Sequence, residues 1–144
     1  MSTARDVMTA QAHCVTDTET ILDAAEKMRD LDVGSLPITD ADGKLIGMLT
    51  DRDIVVRGVA AGKDLSIAMA GEFAAGEPLT VTPDSSAEEA LQVMSQNQVR
   101  RLPVVQDGRM IGMISQQDIA AALSAEQVGQ TVEAVTAGGS QRSD

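Results

Sequence analysis

The chain of 144 residues is acidic and aliphatic, with a formal net charge of −11 and Phe73 as its only aromatic residue. This charge argues against nucleic acid and against an anionic membrane surface as partners, because both reward clustered Lys and Arg. Hydrophobic residues make up 43% of the chain, which is typical of a globular protein rather than a disordered one.

The cysteine content and the N-terminal segment indicate the compartment. Cys14 is the only cysteine, so an intrachain disulfide is impossible and a reducing environment is favoured. The first ten residues lack the apolar run of a secretory signal, and no apolar run approaches the roughly 18 residues of a membrane span. We therefore expect a soluble, cytoplasmic protein.

The sequence repeats itself, with position 15 corresponding to position 81 and an offset of 66 residues. After a one-residue deletion the register continues to the end of the second copy. Landmarks that hold their order and spacing across a whole copy are typical of a duplicated structural unit. The matching pairs are Val15–Thr16 with Val81–Thr82, Leu36–Pro37 with Leu102–Pro103, and Asp53–Ile54 with Asp118–Ile119.

The first copy predicts the order strand, helix, strand, strand, helix. Its first strand is marked by Val15–Thr16, and a helix follows because apolar residues recur on one helical face from Ile21 to Met28. Two strands at 36–38 and 44–49 are joined by an Asp42–Gly43 hairpin. The second helix is expected to begin near Thr50.

The second copy predicts the same order, with strands at 81–82, 102–105 and 109–114. Asp107–Gly108 supplies the hairpin, and the last helix is expected to begin near Ser115. Ser85 and Glu88 are three residues apart, which predicts a capping box at the start of the first helix of this copy. The fold class is therefore mixed α/β (α+β), built as a tandem repeat.

These elements predict a first domain with its lead-in at 1–62, a linker at 63–79, a second domain at 80–125 and a C-terminal helix and tail at 126–144. Gly71, Gly76 and Pro78 favour an irregular backbone in part of the linker. The tail from Ala137 (AGGSQRSD) is expected to be disordered. A repeat of about fifty residues is marginal alone, so we expect the sheets of the two copies to pack face to face.

Two pairs of segments carry a family resemblance. Val33–Ile38 (VGSLPI) with Gly47–Ile54 (GMLTDRDI) resembles a cystathionine-β-synthase-type (CBS) domain, and Val99–Val104 (VRRLPV) with Gly112–Ile119 (GMISQQDI) resembles a second. Arg5–Thr9 (RDVMT) resembles the lead-in that often precedes a first copy. The resemblance extends over residues 5–125, and the size is similar to that of small stand-alone pairs called hypoxic response proteins. It implies a pseudo-two-fold Bateman module that regulates, catalyses nothing and often forms a homodimer.

The resemblance also implies an adenine nucleotide (AMP, ADP or ATP, with S-adenosylmethionine less favoured) in the cleft between the repeats. In nucleotide-binding relatives a Thr or Ser of the last strand-to-helix turn contacts phosphate, and an Asp three residues later bonds the ribose. The matching residues are Thr50 with Asp53 and Ser115 with Asp118. Free N–H groups and the positive dipole end at a helix N-terminus suit phosphate. The other candidate nucleotide-binding residues lie on the strands and beside the turns: Thr16, Leu36, Pro37, Ile38, Arg52, Thr82, Arg100, Arg101, Leu102, Pro103 and Val104.

A purely structural interpretation of the same turns is also available. Thr50 and Ser115 are ordinary N-cap residues, and an acid in the first turn favours the helix dipole. The turns are unequal, because the second has no counterpart of Arg52. If one site operates, this difference favours the turn at Asp53, although Asp51 beside it disfavours a triphosphate.

Alternative functions follow from what the chain lacks. The only histidine, His13, stands beside Cys14, and neighbours in an extended segment point to opposite faces, so a nucleophile–base pair and an enzyme are not expected. These two residues supply too few ligands for zinc within one chain. The main alternative to the nucleotide sensor is a ligand-free dimerisation or protein-interaction module. A third is a redox-responsive or metal-responsive dimer through Cys14. Any output is expected to act on an effector protein in trans, unless the protein instead buffers its ligand.

Overall fold

The computed structural model describes residues 2–10 and 12–135, with side chains described up to residue 125. The tail predicted to be disordered from Ala137 lies outside the described residues. In chain order the elements are α1 (Ala4–Val7), β1 (Thr9–Ala10), β2 (Val15–Thr16), α2 (Ile21–Leu31), β3 (Ser35–Thr39), β4 (Leu45–Thr50), α3 (Asp51–Asp53), a π-helix (Ile54–Val59), a 3-10 helix (Ala70–Phe73), α4 (Ala87–Asn97), β5 (Arg101–Gln106), β6 (Arg109–Ser115) and α5 (Gln116–Val135).

The chain forms two compact units that interleave along the sequence. The first-repeat unit takes in the described residues within Gln11–Thr80 and Val105–Ile111. The second-repeat unit takes in those within Met1–Ala10, Val81–Val104 and Gly112–Asp144. The strands form two three-stranded sheets, in the orders β2-β3-β4 and β1-β6-β5, and the second sheet includes β1 from the lead-in of the first copy. Among the described residues, no helix is both long and apolar enough to cross a membrane.

In the first-repeat unit, β3 pairs with β2 in parallel and with β4 antiparallel. Helix α2 begins at a complete capping box, in which the Asp23 N–H donates to Thr20 Oγ1 at 3.1 Å and the Thr20 N–H donates to Asp23 Oδ2 at 3.3 Å. Its buried face carries Ile21, Ala24 and Met28, as the apolar spacing predicts. The expected order of strands and helices in this copy is therefore confirmed.

The second-repeat unit departs from prediction at its start. The strand predicted at 81–82 is reduced to an isolated parallel bridge between Val81 and Val104. The capping box predicted at Ser85 and Glu88 is wrong by one residue, because helix α4 is capped by Ser86, whose hydroxyl accepts the Glu89 N–H at 3.0 Å. The Ser85 hydroxyl is occupied instead by the Thr82 N–H and hydroxyl, at 3.3 and 3.0 Å.

Part of the predicted linker is regular structure with a buried core residue. Ala70–Phe73 forms a 3-10 helix, so the irregular backbone expected at Gly71 is wrong, whereas Gly76 does adopt a left-handed φ of 66°. Phe73 is 2% exposed. The Ala70 N–H donates to the Glu19 carbonyl at 2.8 Å, which ties this segment to the first repeat.

The lead-in segment of the first copy is tied in the same way to the second copy. The Ala4 N–H donates to the Ser85 carbonyl at 2.7 Å, and the Ala87 N–H donates to the Ser2 carbonyl at 2.9 Å. Ala4 is fully buried, and strand β1 pairs antiparallel with β6. Ala70–Phe73 stands before the second copy as residues 2–10 stand before the first, so we call it the second lead-in. Each lead-in belongs to the unit of the other repeat, and residues 105–111 of the second repeat lie in the first-repeat unit as well.

Candidate functional site

The first candidate turn joins β4 to α3. Thr50 Oγ1 accepts the Asp53 N–H, and Asp53 Oδ2 accepts the Thr50 N–H, both at 3.0 Å. Asp53 Oδ1 lies 3.7 Å from Arg57 Nη1. The capping role predicted for Thr50 is therefore confirmed, and both oxygens of the Asp53 carboxylate already face a donor of this chain.

Asp51 adds a second carboxylate to this turn. Its Oδ1 accepts the Arg52 N–H at 2.8 Å, and its own N–H donates to the Gly34 carbonyl at 2.9 Å. A Cβ placed on Gly34 would lie 3.1 Å from Asp51 Oδ2, so the carboxylate packs directly against the Gly34 main chain. The residue type at position 34 is thus set partly by the space that Asp51 takes.

The second candidate turn joins β6 to α5 with the same cap. Ser115 Oγ accepts the Asp118 N–H at 3.0 Å, and the Ser115 N–H donates to Asp118 Oδ2 at 3.4 Å. The Gln116 N–H donates to the Arg100 carbonyl at 2.8 Å, as Asp51 does to Gly34. The capping role of Ser115 is also confirmed, and the two main-chain frameworks are alike.

An open cleft of about 280 Å³ lies at this second turn, within the second-repeat unit. The exposed side chains of Arg100, just before β5, and Arg101, the first residue of β5, form one side. Ser115, Gln116 and Gln117 form the other side, at the N-terminus of the 20-residue helix α5. Two guanidinium groups and a helix N-terminus on one cleft make a favourable environment for an anion.

The remaining predicted nucleotide-binding residues are in different environments. Thr16 donates both its N–H and its hydroxyl to Glu19 Oε1, at 3.0 and 3.4 Å. Thr82 and Arg52 are exposed. The predicted adenine neighbours are all buried within their own units, so in this structure they serve packing and a contact with adenine stays a prediction: Leu36, Pro37, Ile38, Leu102, Pro103 and Val104.

Gln116 and Gln117 are lining residues that the sequence interpretation passed over. The motif drew attention to the Ser and Asp of the turn and treated the two glutamines only as the loss of Arg52. The signal was the replacement of Asp51 by Gln116 between the copies, since it removes a carboxylate from a helix N-terminus. The replacement of Asp51 by Gln116 matters for anion binding only because Arg100 and Arg101 lie beside it, and the turn motif does not include these two residues.

A charged network distinguishes the start of the first repeat. Lys27 Nζ donates to Glu19 Oε1 and to the Cys14 carbonyl, both at 3.0 Å. Partial burial raises the pKa of Glu19, but hydrogen bonds from the Thr16 N–H and from Lys27 outweigh it and hold that pKa below its usual value. The network joins the segment before β2 to helix α2.

Comparison with known proteins gives a close relative in sequence. The CBS domain family matches residues 4–59 and 70–125 of the chain. Hypoxic response protein 1 of Mycobacterium tuberculosis is 46% identical over 135 residues, which cover 94% of both chains.

Solved structures show the same fold. The crystal structure of Hypoxic Response Protein I with two coordinated zinc ions is 48% identical and has a TM-score of 0.77, covering 83% of this chain and 98% of that one. The crystal structure of CBSX2 in complex with AMP is 26% identical and has a TM-score of 0.75, covering 90% of this chain and 99% of that one.

The described residues of this chain do not fit a zinc site of its own. They contain no grouping of three or more His, Cys, Asp or Glu side chains that could hold a metal ion. His13 is exposed, and Cys14 Sγ lies 3.5 Å from the Thr39 hydroxyl. Zinc sites in proteins usually take at least three protein ligands.

The family match, the internal repeat and the two turns point to the same pair of domains. The two matched segments carry the two strand-to-helix turns described above, each with a hydroxyl cap and an aspartate three residues later. The relative in sequence and the neighbours in structure match over nearly the full length. This chain belongs to the CBS-domain family and contains two CBS domains.

Proposed function

We propose that this protein is a non-catalytic regulatory module that binds an adenine nucleotide (AMP, ADP or ATP), with the turn at Ser115 as its principal phosphate site. The observation that carries the proposal is the cleft bordered by Arg100, Arg101 and the N-terminus of α5. Guanidinium groups and free helix N–H groups are the usual partners of phosphate in proteins.

The charge difference between the turns supports the choice of the second one. Asp51 and Asp53 stand around Arg52 at the first turn, whereas the second turn has Asp118 as its one carboxylate and Arg100 and Arg101 on its cleft. A nucleotide phosphate carries negative charge, so the second turn attracts it more strongly than the first, where Asp51 and Asp53 offset Arg52 and Arg57. This preference is opposite to the one that Arg52 suggested from sequence alone.

The relatives support the ligand class. A CBS protein with the same fold, CBSX2, was crystallised with AMP. In this chain the candidate acids and hydroxyls are engaged as helix caps, a structural role that is compatible with ligand binding. A cytoplasmic location and an effector protein engaged in trans remain part of the proposal.

Thermal unfolding with AMP, ADP, ATP, S-adenosylmethionine and NADH tests the proposal. A ligand at about a hundred times its dissociation constant adds roughly 2.7 kcal/mol, and each kcal/mol raises the melting temperature by roughly 2–4 °C. We expect a clear rise with at least one adenine nucleotide. Arg101→Ala should abolish most of that rise, and the matched control Arg52→Ala should leave it unchanged.

The outcomes separate the site from the function. A rise that Arg101→Ala leaves intact but Arg52→Ala removes would transfer the phosphate site to the first turn. No rise with any adenine nucleotide would contradict the sensor function itself.

The second candidate function is self-association without a ligand, and exposed valines favour it. Val55, Val56 and Val59 on the π-helix are 58%, 46% and 59% exposed. Such apolar side chains on one short helix provide a surface that a second copy of the chain can cover. Light scattering should then give twice the chain mass of 15.0 kDa. Val55→Asp together with Val59→Asp should return the protein to a monomer, and a monomeric parent protein would contradict this candidate.

A further inference from the structure

We infer that Asp51 is a specificity-determining residue whose carboxylate occupies the phosphate position of the first turn and so keeps nucleotide phosphate out of it. The inference rests on the proposed function, because it concerns where the same ligand is held. It predicts one nucleotide per chain rather than one per repeat.

At the first turn the main-chain donors already have acceptors within the chain. The Arg52 N–H is bound by the Asp51 carboxylate at 2.8 Å, and the Thr50 N–H by the Asp53 carboxylate at 3.0 Å. The Asp51 and Asp53 N–H groups donate to the Gly34 carbonyl and the Thr50 hydroxyl. A phosphate arriving here would find donors that are already bound to anionic or polar groups of the protein.

At the second turn the donor that corresponds to the Arg52 N–H is the N–H of Gln117. In the part of the chain that the structure describes, this N–H has no hydrogen-bond acceptor. The reason is the residue before it, since Gln116 stands where the first turn has Asp51. An N–H group in the first turn of a helix is left for solvent or a ligand unless a side chain accepts it.

The neighbours of Asp51 and Gln116 also differ between the turns, and they too make the second turn more favourable for an anion. Gly34 faces Asp51 and would bring a Cβ within 3.1 Å of its carboxylate, whereas Arg100 takes the place of Gly34 beside Gln116. At the first turn the Asp51 carboxylate packs against the main chain of Gly34. At the second turn the neutral Gln116 lies beside the cationic cleft. Each of these two differences favours phosphate at the second turn over the first.

Reciprocal variants test this inference, with AMP as the probe in isothermal titration calorimetry. Asp51 and Gln116 are both exposed, so Asp51→Gln and Gln116→Asp should leave the fold intact, as thermal unfolding without ligand verifies. We expect one AMP per parent chain. Gln116→Asp should weaken that site at least roughly tenfold, since a like charge beside the phosphate is costly, and Asp51→Gln should add a second, weaker site. Asp42→Asn removes the same charge from an exposed hairpin and should change neither value.

The possible results distinguish a failure of the inference about Asp51 from a failure of the proposed nucleotide binding. One AMP per chain with no new site in Asp51→Gln, or full affinity in Gln116→Asp, would overturn the inference and leave the nucleotide function standing. Two equal sites in the parent chain would also overturn it. If no variant binds AMP, the titrations are repeated with ADP and ATP, and no binding of any of the three contradicts the proposed function and the inference together.

Discussion

At both strand-to-helix turns an aspartate N–H donates to a hydroxyl three residues earlier at 3.0 Å, yet the residues between cap and aspartate differ. The first turn has Asp51 and Arg52, and the second has Gln116 and Gln117. The cap is retained in both copies because a helix start needs its N–H groups satisfied. The two residues between the hydroxyl and the aspartate do not form this cap, so they can differ between the turns. We propose that they give the first turn an anion of its own and leave the second turn open to the phosphate of a ligand.

The same contrast extends to the beginning of each repeat. Thr16 bonds the charged Glu19, which Lys27 in turn holds at 3.0 Å, whereas Thr82 bonds the neutral Ser85. The lead-ins differ as well, since Phe73 occupies the position that corresponds to Val7. The first repeat is therefore reinforced by charge and by an aromatic ring, and the second is left with simpler contacts.

The largest expected effect comes from the ring of Phe73. Arg57 Cζ and Lys63 Nζ lie 5.0 and 5.4 Å from its centroid, and the Arg57 guanidinium also donates to the Phe73 carbonyl at 3.1 Å. Phe73→Ala should lower the free energy of unfolding by about 3–5 kcal/mol, because it leaves a cavity in the first-repeat core. Urea denaturation measures this loss.

The corresponding change in the other lead-in is the control for Phe73. Val7 is only half-buried, so Val7→Ala should cost about 1 kcal/mol or less. Equal losses of unfolding free energy in Phe73→Ala and Val7→Ala would contradict the difference described between the two lead-ins.

The caps should give equal losses of stability and unequal losses of binding. Thr50→Ala and Ser115→Ala each remove one N-cap hydroxyl, which is worth about 1 kcal/mol. Urea denaturation should report similar losses for both, whereas calorimetry with AMP should report weaker binding for Ser115→Ala alone. Weaker binding in Thr50→Ala as well would show that the first turn also holds the ligand.

The smallest effect depends on pH and belongs to the first repeat. The pKa of Glu19 is lower in the folded chain than its ordinary value of 4.5, so its contribution to stability is present above pH 4.5 and is lost as pH falls through the folded pKa. Glu19→Gln should therefore be less stable than the parent by about 1 kcal/mol at pH 7. That gap should narrow below about pH 4.5.

Unfolding curves at pH 7 and pH 3 measure the Glu19 gap. Glu26→Gln, on the exposed face of the same helix, is the control and should show little effect at either pH. A gap of the same size at both pH values would mean that the carboxylate charge contributes nothing.

Much of the fold was predictable because its signals are local. The apolar face from Ile21 to Met28 and the Asp–Gly hairpins gave the elements in the right order. The 3-10 helix was missed because Met69, which stands where the first lead-in has Thr3, does not look like a cap, although the Glu72 carboxylate accepts the Met69 N–H at 2.7 Å. The capping residue of α4 was misplaced because Ser85 and Ser86 are both suitable caps and only the bond to Thr82 distinguishes them.

The candidate site was predictable only in part. The turn motif identified Thr50, Asp53, Ser115 and Asp118, whose caps are formed as expected. The contact of Asp51 with Gly34 depends on two segments seventeen residues apart meeting in space, which spacing within a motif does not reveal. The preference that we propose between the turns therefore rests on contacts that only the structure reveals.

The most direct test of the account is a titration of the ¹⁵N-labelled protein with AMP, followed by amide chemical shifts. The account predicts that the Gln117 N–H moves most and saturates with the ligand, while the Arg52 N–H, already bound to Asp51, stays in place. The N–H groups around Arg52 shifting while that of Gln117 stays still would contradict it, as would a spectrum that AMP leaves unchanged.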